Sequence, residues 1–422
     1  MAFSFIHAGD IHLDSPFRGV TSESPKIARL LQSATFEAYD SLIKLCIDKK
    51  VQFLLLSGDI YDGADRSLQA QLRFRDGLHK LADNNIQAFI VHGNHDPYKG
   101  HSKVIKWPPG IHVFSYLKVE SKPVKINDNI VAVISGISHE KRDTHTNLVK
   151  KFSATDSDVF QIGLLHCNVG RNTGHEAYAP CELKDLLDIG MHYWALGHVH
   201  ERKILHENPY VVYPGNSQGL NIREQNERGC YLVCVDESTK VVVKQEFHEL
   251  DAIRWFSGSV KINELQTLDQ LENSISNRID YFIDKANSRP IIVRLSIEGQ
   301  GTLYHELHQD GGIQDLLQHI RGIFENKSPF VWVEELIFNC KPEIDIDKRR
   351  KNLDFLGEVL KISKELLKED GMRQIRAEAL GELYQDRRLK KHLDNVTDEE
   401  IEDMLKKAEI LCIDMFEAND GN

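Results

Sequence analysis

From residue 3 to about 250, short apolar runs alternate with stretches of helical spacing, the pattern of a layered α/β domain. Phe3-Ser4-Phe5-Ile6 reads as a first strand, Phe53–Leu56 as a buried second and Ala88–Val91 as a third. Between the first two, Ile27, Leu30, Leu31, Ala34, Ala38, Leu42 and Leu45 form one broad stripe, which predicts a helix over 27–50. A second helix is predicted over Leu68–Asn84. Further strands are expected at Val131–Ile134, Gln161–Leu165, Tyr193–Leu196, Val211–Tyr213 and Cys230–Val235.

The pattern changes near 250. Strand-like segments at 254–262 and 290–298 flank an amphipathic helix at 268–286, and a helix (313–325) and a strand (330–339) follow. No motif-like cluster of polar residues lies there, so a cap that positions substrate is expected rather than a second catalytic unit. After Pro342 the spacing is almost wholly helical, with Leu353, Leu356, Val359, Leu360, Leu366 and Leu367 on one face. Thr397 with Glu400 three residues on is a capping box that opens a final helix. The expected organisation is a catalytic domain at 1–250, a small α/β cap at 251–342 and a helical tail at 343–422 that suits partner docking.

Composition narrows the class without naming it. With 422 residues, 41% hydrophobic and 27% charged, the chain is neither disordered, collagenous nor membrane-embedded. No apolar run approaches the roughly 18 residues needed to span a bilayer, and the first residues lack the basic start of a secretory signal. Seven cysteines without a CxxC spacing fit free thiols in a reducing compartment, so a cytoplasmic location is expected. The net charge of −12 argues against coating nucleic acid unaided, and residues 398–420 alone carry −7 of it. One count stands out: 15 of the 20 histidines lie in the first 206 residues.

Five short motifs follow predicted strands in that half. They are Asp10-Ile11-His12, Gly58-Asp59-Ile60-Tyr61-Asp62-Gly63, Gly93-Asn94-His95-Asp96, the lone His166, and Gly197-His198-Val199-His200. Taken singly, Asp-x-His or a Gly-Asp pair is ordinary turn chemistry, and a histidine closing a strand is commonly just hydrogen-bonded. All five in order, each after a strand, are not, because loops beyond the carboxyl ends of sheet strands converge on one crevice. Carboxylate, imidazole and an amide carbonyl make an N/O donor set without thiolate. That set suits Mn²⁺ first, with Fe²⁺ or Zn²⁺ as alternatives. Asp10, His12, Asp59, Asn94, His166, His198 and His200 are too many donors for one catalytic ion. Two divalent ions about 3.5–4 Å apart, sharing a carboxylate and leaving room for a hydroxide, accommodate them and suit phosphoryl chemistry.

In order and spacing these motifs resemble the calcineurin-like metallophosphoesterase superfamily. Tyr193-Trp194-Ala195-Leu196-Gly197-His198-Val199-His200, with the later Tyr213-Pro214-Gly215-Asn216, is similar to DNA repair exonucleases of the SbcD type. The opening His7-Ala8-Gly9-Asp10-Ile11-His12-Leu13-Asp14 looks most like the YhaO branch of Gram-positive bacteria. The resemblance covers residues 1–250 and implies a layered metallophosphoesterase sandwich. It also implies one metal on Asp10, His12, Asp59 and His200, and a second on Asp59, Asn94, His166 and His198. His95 would be a non-ligand that protonates the leaving oxygen or stabilises the transition state, a role that an imidazole of near-neutral pKa can fill. Asp62 and Asp96 would hold His95 or a metal-bound water. The chain departs from SbcD-type nucleases at Gly9, Ile11 and Cys167, none of them an expected ligand.

The expected activity is metal-dependent phosphodiester hydrolysis in DNA, with metal-bound hydroxide as nucleophile. The ligand set points only to a phosphoester, and the resemblance adds the DNA. Arg18, Arg66, Lys99, Lys103, Arg171 and Arg202 are the basic residues nearest the motif loops and the candidates for phosphate contacts. The acidic tail would dock an SbcC-like coiled-coil ATPase, or pack on the cap or on a second copy of the chain as a homodimer. Two other functions fit the same residues: a phosphoesterase for nucleotides or small phosphorylated metabolites, and a non-catalytic scaffold of the same fold. The scaffold is disfavoured because no expected ligand is missing.

Overall fold

Alternate residues of each central strand divide between two apolar layers, and this alternation assembles the molecule. The computed structural model describes residues 2–15, 17, 25–63, 67–98, 106–155, 158–170, 178–309, 311–343, 345–378 and 396–417. A first sheet has the order β12-β11-β1-β2-β3-β4 and a second the order β5-β6-β7-β8-β10-β9. In the first, β1 (Ala2–Ala8), β2 (Phe53–Ser57), β3 (Gln87–Val91) and β4 (Ile111–Val113) run parallel. On the far side of β1, β11 (Gly229–Asp236) and β12 (Val241–Glu249) are antiparallel. In the second sheet β6 (Asn129–Ile137), β7 (Phe160–His166), β8 (Tyr193–Gly197) and β10 (Tyr210–Tyr213) are parallel. Antiparallel edges close it, β5 (Glu120–Ile126) on one side and β9 (Lys203–Glu207) on the other.

Phe3, Phe5, Phe53, Leu55, Phe89 and Val91 of the first sheet meet Ile162, Leu164, Tyr193, Ala195 and Val212 of the second in one buried core. The intervening residues Ile6, Ala8, Leu54, Leu56, Ala88 and Ile90 face outward under helices α1 (Pro25–Lys49) and α2 (Leu68–Asp83). Period-two burial on both faces is what a covered, mostly parallel sheet requires. The result is an α/β sandwich of two mixed sheets.

A third, three-stranded sheet has the order β13-β14-β15, from Arg254–Lys261, Ile291–Gln300 and Val331–Lys341. The chain divides into two compact units. One holds residues 1–257, 279–294 and 323–334, and the other holds 258–278, 295–322 and 335–422. In the second unit, the helices Phe355–Leu366 and Asp398–Glu417 bury Leu356, Leu360 and Ile413 between them. The Thr397–Glu400 capping box forms, with the Thr397 N–H donating to Glu400 at 2.7 Å and the Glu400 N–H to Thr397 Oγ1 at 3.2 Å. No helix among the described residues is long and apolar enough to cross a membrane.

Four strands of the sandwich, β4, β5, β9 and β12, are not among those expected from the sequence, and they are the four sheet edges. An edge strand buries little of either face, so charged residues and Pro123 are tolerated in it and the two-residue alternation fades. The edges matter less to chemistry. The parallel central strands bring all their carboxyl ends to one end of each sheet. Gly197 lets the two sheets meet there: a Cβ on it would lie 2.0 Å from the Ser57 carbonyl oxygen.

Candidate metal centre

Asp10 and His12 lie just beyond β1, Asp59 and Asp62 beyond β2, and Asn94, His95 and Asp96 beyond β3. His166 ends β7, while His198 and His200 follow β8. Three overlapping groups result, each with donor atoms within 4.8 Å of one another: Asp10, His12 and His200; Asp10, Asp59 and His166; His12, Asp62 and His95. Asn94 joins the second group, its Oδ1 lying 2.9 Å from His166 Nε2. His198 is placed differently. Its backbone N–H donates to both Asp10 oxygens, at 3.1 and 3.0 Å, and its ring packs edge-on against His166.

The turns that deliver these groups are strained. Asp10, His12 and Asp59 sit at φ of 49°, 46° and 47°, and His198 at 104°. Left-handed backbone at non-glycine residues costs of order 1 kcal/mol or more each, and persists where surrounding contacts over-determine it. Here the Asp10 and His12 N–H groups donate to the carbonyls of Gly58 and Asp59, which ties the first two motif loops together. Gly93 leaves room for the ligands, since a Cβ on it would lie 2.2 Å from Asp59 Oδ1.

The protonation pattern tests whether these side chains fit cations. His166 Nδ1 is 2.9 Å from the Ser57 carbonyl, so it donates there and its Nε2 is left facing Asp59 Oδ2 at 3.3 Å and Asn94 Oδ1 at 2.9 Å. Three acceptors thus converge on one point. Something positive must lie between them. With a proton in that place, burial, which favours the neutral ring, is outweighed by Asp59, and the His166 pKa rises to about 9. Burial likewise opposes charge on Asp59, yet His166, His12 and His95 hold its carboxyl well below the usual range. Burial pushes Asp10 up to about 6, against the pull of His166 and His200. Burial, with His200 adding to it, takes His12 down to about 4, so its ring is neutral and able to act as a ligand. Its Nε2 lies 3.1 Å from His200 Nε2 and 4.0 Å from Asp59 Oδ2. Two buried carboxylates among these imidazoles are costly without positive charge, which a proton on His166 supplies here and bound cations would supply in its place. The donor set therefore fits two divalent metals.

The comparisons agree with this geometry. The family model for calcineurin-like phosphoesterases matches residues 3–202, and the model for the middle domain of the metallophosphoesterase YhaO matches residues 255–341. The chain is 30% identical to the metallophosphoesterase YhaO of Bacillus subtilis (strain 168), over 97% of this chain and 96% of that one. The chain belongs to the calcineurin-like metallophosphoesterases. It is 23% identical to the DNA double-strand break repair protein Mre11 of Thermoplasma acidophilum, over 76% of this chain and 81% of that protein. With the Mre11 of Sulfolobus acidocaldarius it shares 21% identity, over 88% of this chain and 96% of that protein.

In this metallophosphoesterase His95 stands at the open side of the cluster, its side chain 29% exposed. Its N–H donates to Asp59 Oδ1 at 2.9 Å and its Nδ1 lies 2.6 Å from Asp62. Burial lowers the imidazole pKa, but the bond to Asp62 and the charge of Asp59 prevail and raise it. Asp96 does not take part in that pair. It is fully buried and accepts from the N–H groups of Gly93 (2.8 Å) and Ile60 (3.0 Å), with His92 Nδ1 at 3.0 Å. It therefore braces the second and third motif loops. Of the candidate phosphate contacts, Arg18, Arg66, Lys99, Lys103 and Arg171 lie outside the described residues. Arg202 stacks on the Phe247 ring of β12 at 3.8 Å.

Two further residues beside the cluster belong to none of the five motifs. Glu224 bonds His200 Nδ1 at 2.7 Å, and burial, which opposes its charge, is overcome by His200, taking its pKa to about 2. His139 Nε2 donates to the His166 carbonyl at 2.7 Å. Neither follows a strand with a Gly-Asp or Gly-His signature, so no local pattern marks them.

Proposed function

We propose that this metallophosphoesterase hydrolyses phosphodiester bonds in DNA. Asp10, His12, Asp59 and His200 would hold one divalent cation, and Asp59, Asn94, His166 and His198 the other. When bound, the pair neutralises phosphate charge and activates water near neutral pH. His95 supplies the proton: with Nδ1–H donated to Asp62, the imidazolium has Nε2–H to give to the leaving oxygen. Asp62 keeps the ring oriented and favours its charged form. The strained loops and Asp96 hold these groups ready before substrate arrives, so little reorganisation remains for the reaction.

The Asp62–His95 pair beside the buried Asp/His cluster is the observation that supports hydrolysis. DNA as substrate is supported by likeness to Mre11 proteins, which extends past the catalytic motifs to 88% of the chain. In this reading residues 1–250 are catalytic, 251–342 form a cap and 343–422 dock a partner such as a coiled-coil ATPase. Borrowing affinity from a partner reconciles the net charge of −12 with a polyanionic substrate.

The test is Mn²⁺-supplemented hydrolysis of labelled duplex ends, single strands and bis-p-nitrophenyl phosphate. Both DNA and the small diester are expected to be cleaved, and His95→Ala is expected to lower the rate ~10²–10⁴-fold while both cations stay bound. Cleavage of the small ester alone, even with a candidate ATPase partner present, removes DNA from the proposal. No cleavage of either removes the phosphodiesterase.

A further inference from the structure

Glu224 lies 24 residues beyond His200, past the last histidine motif. We propose that it is a positioning residue for the metal centre, fixing the His200 ring and tautomer so that Nε2 faces Asp10 and His12. This inference rests on the two-cation reading above.

A carboxylate only accepts, so the 2.7 Å contact between Glu224 Oε1 and His200 Nδ1 places the ring proton on Nδ1. The lone pair is then on Nε2, which lies 3.1 Å from His12 Nε2 and 4.0 Å from Asp10 Oδ1. Glu224 is itself held. Its Oε2 accepts from the Leu220 N–H at 2.7 Å and from Asn216 Nδ2 at 3.0 Å. Arg228 bonds the His200 carbonyl and reaches Asn216 Oδ1 at 3.2 Å, so the backbone of the ligand and the acid that orients it share one clamp.

The segment carrying Glu224 is anchored in turn. Gln218 donates to the Ile253 carbonyl at 2.7 Å and accepts from the Ala252 N–H at 2.8 Å, while Trp255 Nε1 donates to the Gly219 carbonyl at 3.0 Å. Glu224 cannot swing away without breaking three hydrogen bonds. Its neighbour in the cluster offers a contrast. His12 Nδ1 is buried with no hydrogen-bond partner among the described residues. Of the two imidazoles in the Asp10, His12 and His200 group, His200 is thus the one hydrogen-bonded to a carboxylate, and the effect of Glu224 is expected on one cation.

Manganese titration calorimetry on the chelator-treated full-length chain tests this without any substrate. Wild type is expected to take up two Mn²⁺. Glu224→Ala should bind one of them unchanged and the other ~10–100-fold more weakly, the usual cost of losing a partner that orients a ligand. Glu224→Gln, whose amide oxygen can still accept from Nδ1–H but whose NH2 then meets the Leu220 and Asn216 donors, should restore part of that affinity. Spectra of ¹⁵N-histidine-labelled protein, assigned by difference from His200→Ala, should show the Nδ1-protonated tautomer in wild type and Glu224→Gln and its loss in Glu224→Ala. Wild-type affinity at both positions in Glu224→Ala, or an unchanged His200 tautomer, overturns the inference. Should the alanine variant not fold, Glu224→Asp keeps the charge but withdraws it by one methylene; unchanged binding there overturns the inference equally. His200→Ala must lose the same cation. If it keeps both, the ligand assignment has failed rather than the role of Glu224.

Discussion

The two sheets bring different chemistry to the same edge. The first supplies the acids Asp10 and Asp59, the Asn94 carbonyl, His95 and one candidate ligand imidazole, His12, on loops with left-handed backbone at Asp10, His12 and Asp59. The second supplies imidazoles only, and two of these have Nδ1 committed to oxygen: His166 to the Ser57 carbonyl and His200 to Glu224. One sheet thus provides negative charge that burial makes costly, and the other provides lone pairs whose direction is set in advance. The two groups that contain Asp10 draw on both sheets. The cluster exists because the packed aromatic core holds the two edges together, and Gly197 allows the closest approach.

Removing charge from the first sheet should have the largest effect. Asp59 belongs to a buried donor group and bonds the His95 N–H, so Asp59→Asn is expected to cut hydrolysis by at least ~10²–10³-fold and to lower bound Mn²⁺ below two per chain. Elemental analysis beside the rate assay checks both, and full metal content would contradict the assignment. Chelation should come next. Because cations offset the repulsion between Asp10 and Asp59, saturating metal at about 1,000 times Kd should stabilise by ~4 kcal/mol. That corresponds to several degrees of Tm. Equal melting with Mn²⁺ and with excess EDTA would break the contrast between the sheets.

Asp96 sharpens the comparison within the first sheet. It is an acid of the same edge, yet its bonds go to Gly93, Ile60 and His92. Asp96→Ala should cost roughly 3 kcal/mol in chemical denaturation by leaving buried donors unpaired, with a smaller loss of metal affinity than Asp59→Asn. Near neutral pH the smallest expected effect is at His7, buried beneath the site near Tyr193 and Ser57. Burial lowers its pKa from 6.5 to about 3. The unfolded chain therefore binds the extra proton first, so this contribution to stability is complete above pH 6.5 and is lost as pH falls toward 3. His7→Gln should flatten that part of the stability profile measured in EDTA, and an unchanged slope would argue against a neutral buried His7.

Much of this was legible because chemistry and pattern coincide at the central strands. Phe53–Leu56, Ala88–Val91 and Tyr193–Leu196 are continuous apolar runs that need burial on both faces, and each ends in a polar motif. The helix stripes over 27–50 and Leu68–Asn84 fall within about a residue or two of α1 and α2 for the same reason. The edge strands were not legible, since β5 and β9 bury too little to impose a pattern. Glu224 was not legible either. Its contact with His200 depends on where the chain passes after β10, which no local spacing records.

The sequence by itself determined the layered class, the succession of buried strands along the chain and the residue types at their ends, because burial and ligand chemistry act residue by residue. Tertiary structure decided which partner each group takes. Asp62 pairs with His95 while Asp96 turns to the loops, Arg202 lies on Phe247, and Glu224 orients His200. Those choices rest on distances of a few ångströms, mostly between segments far apart in the chain, which the pairing of strands and the packing of the two sheets set.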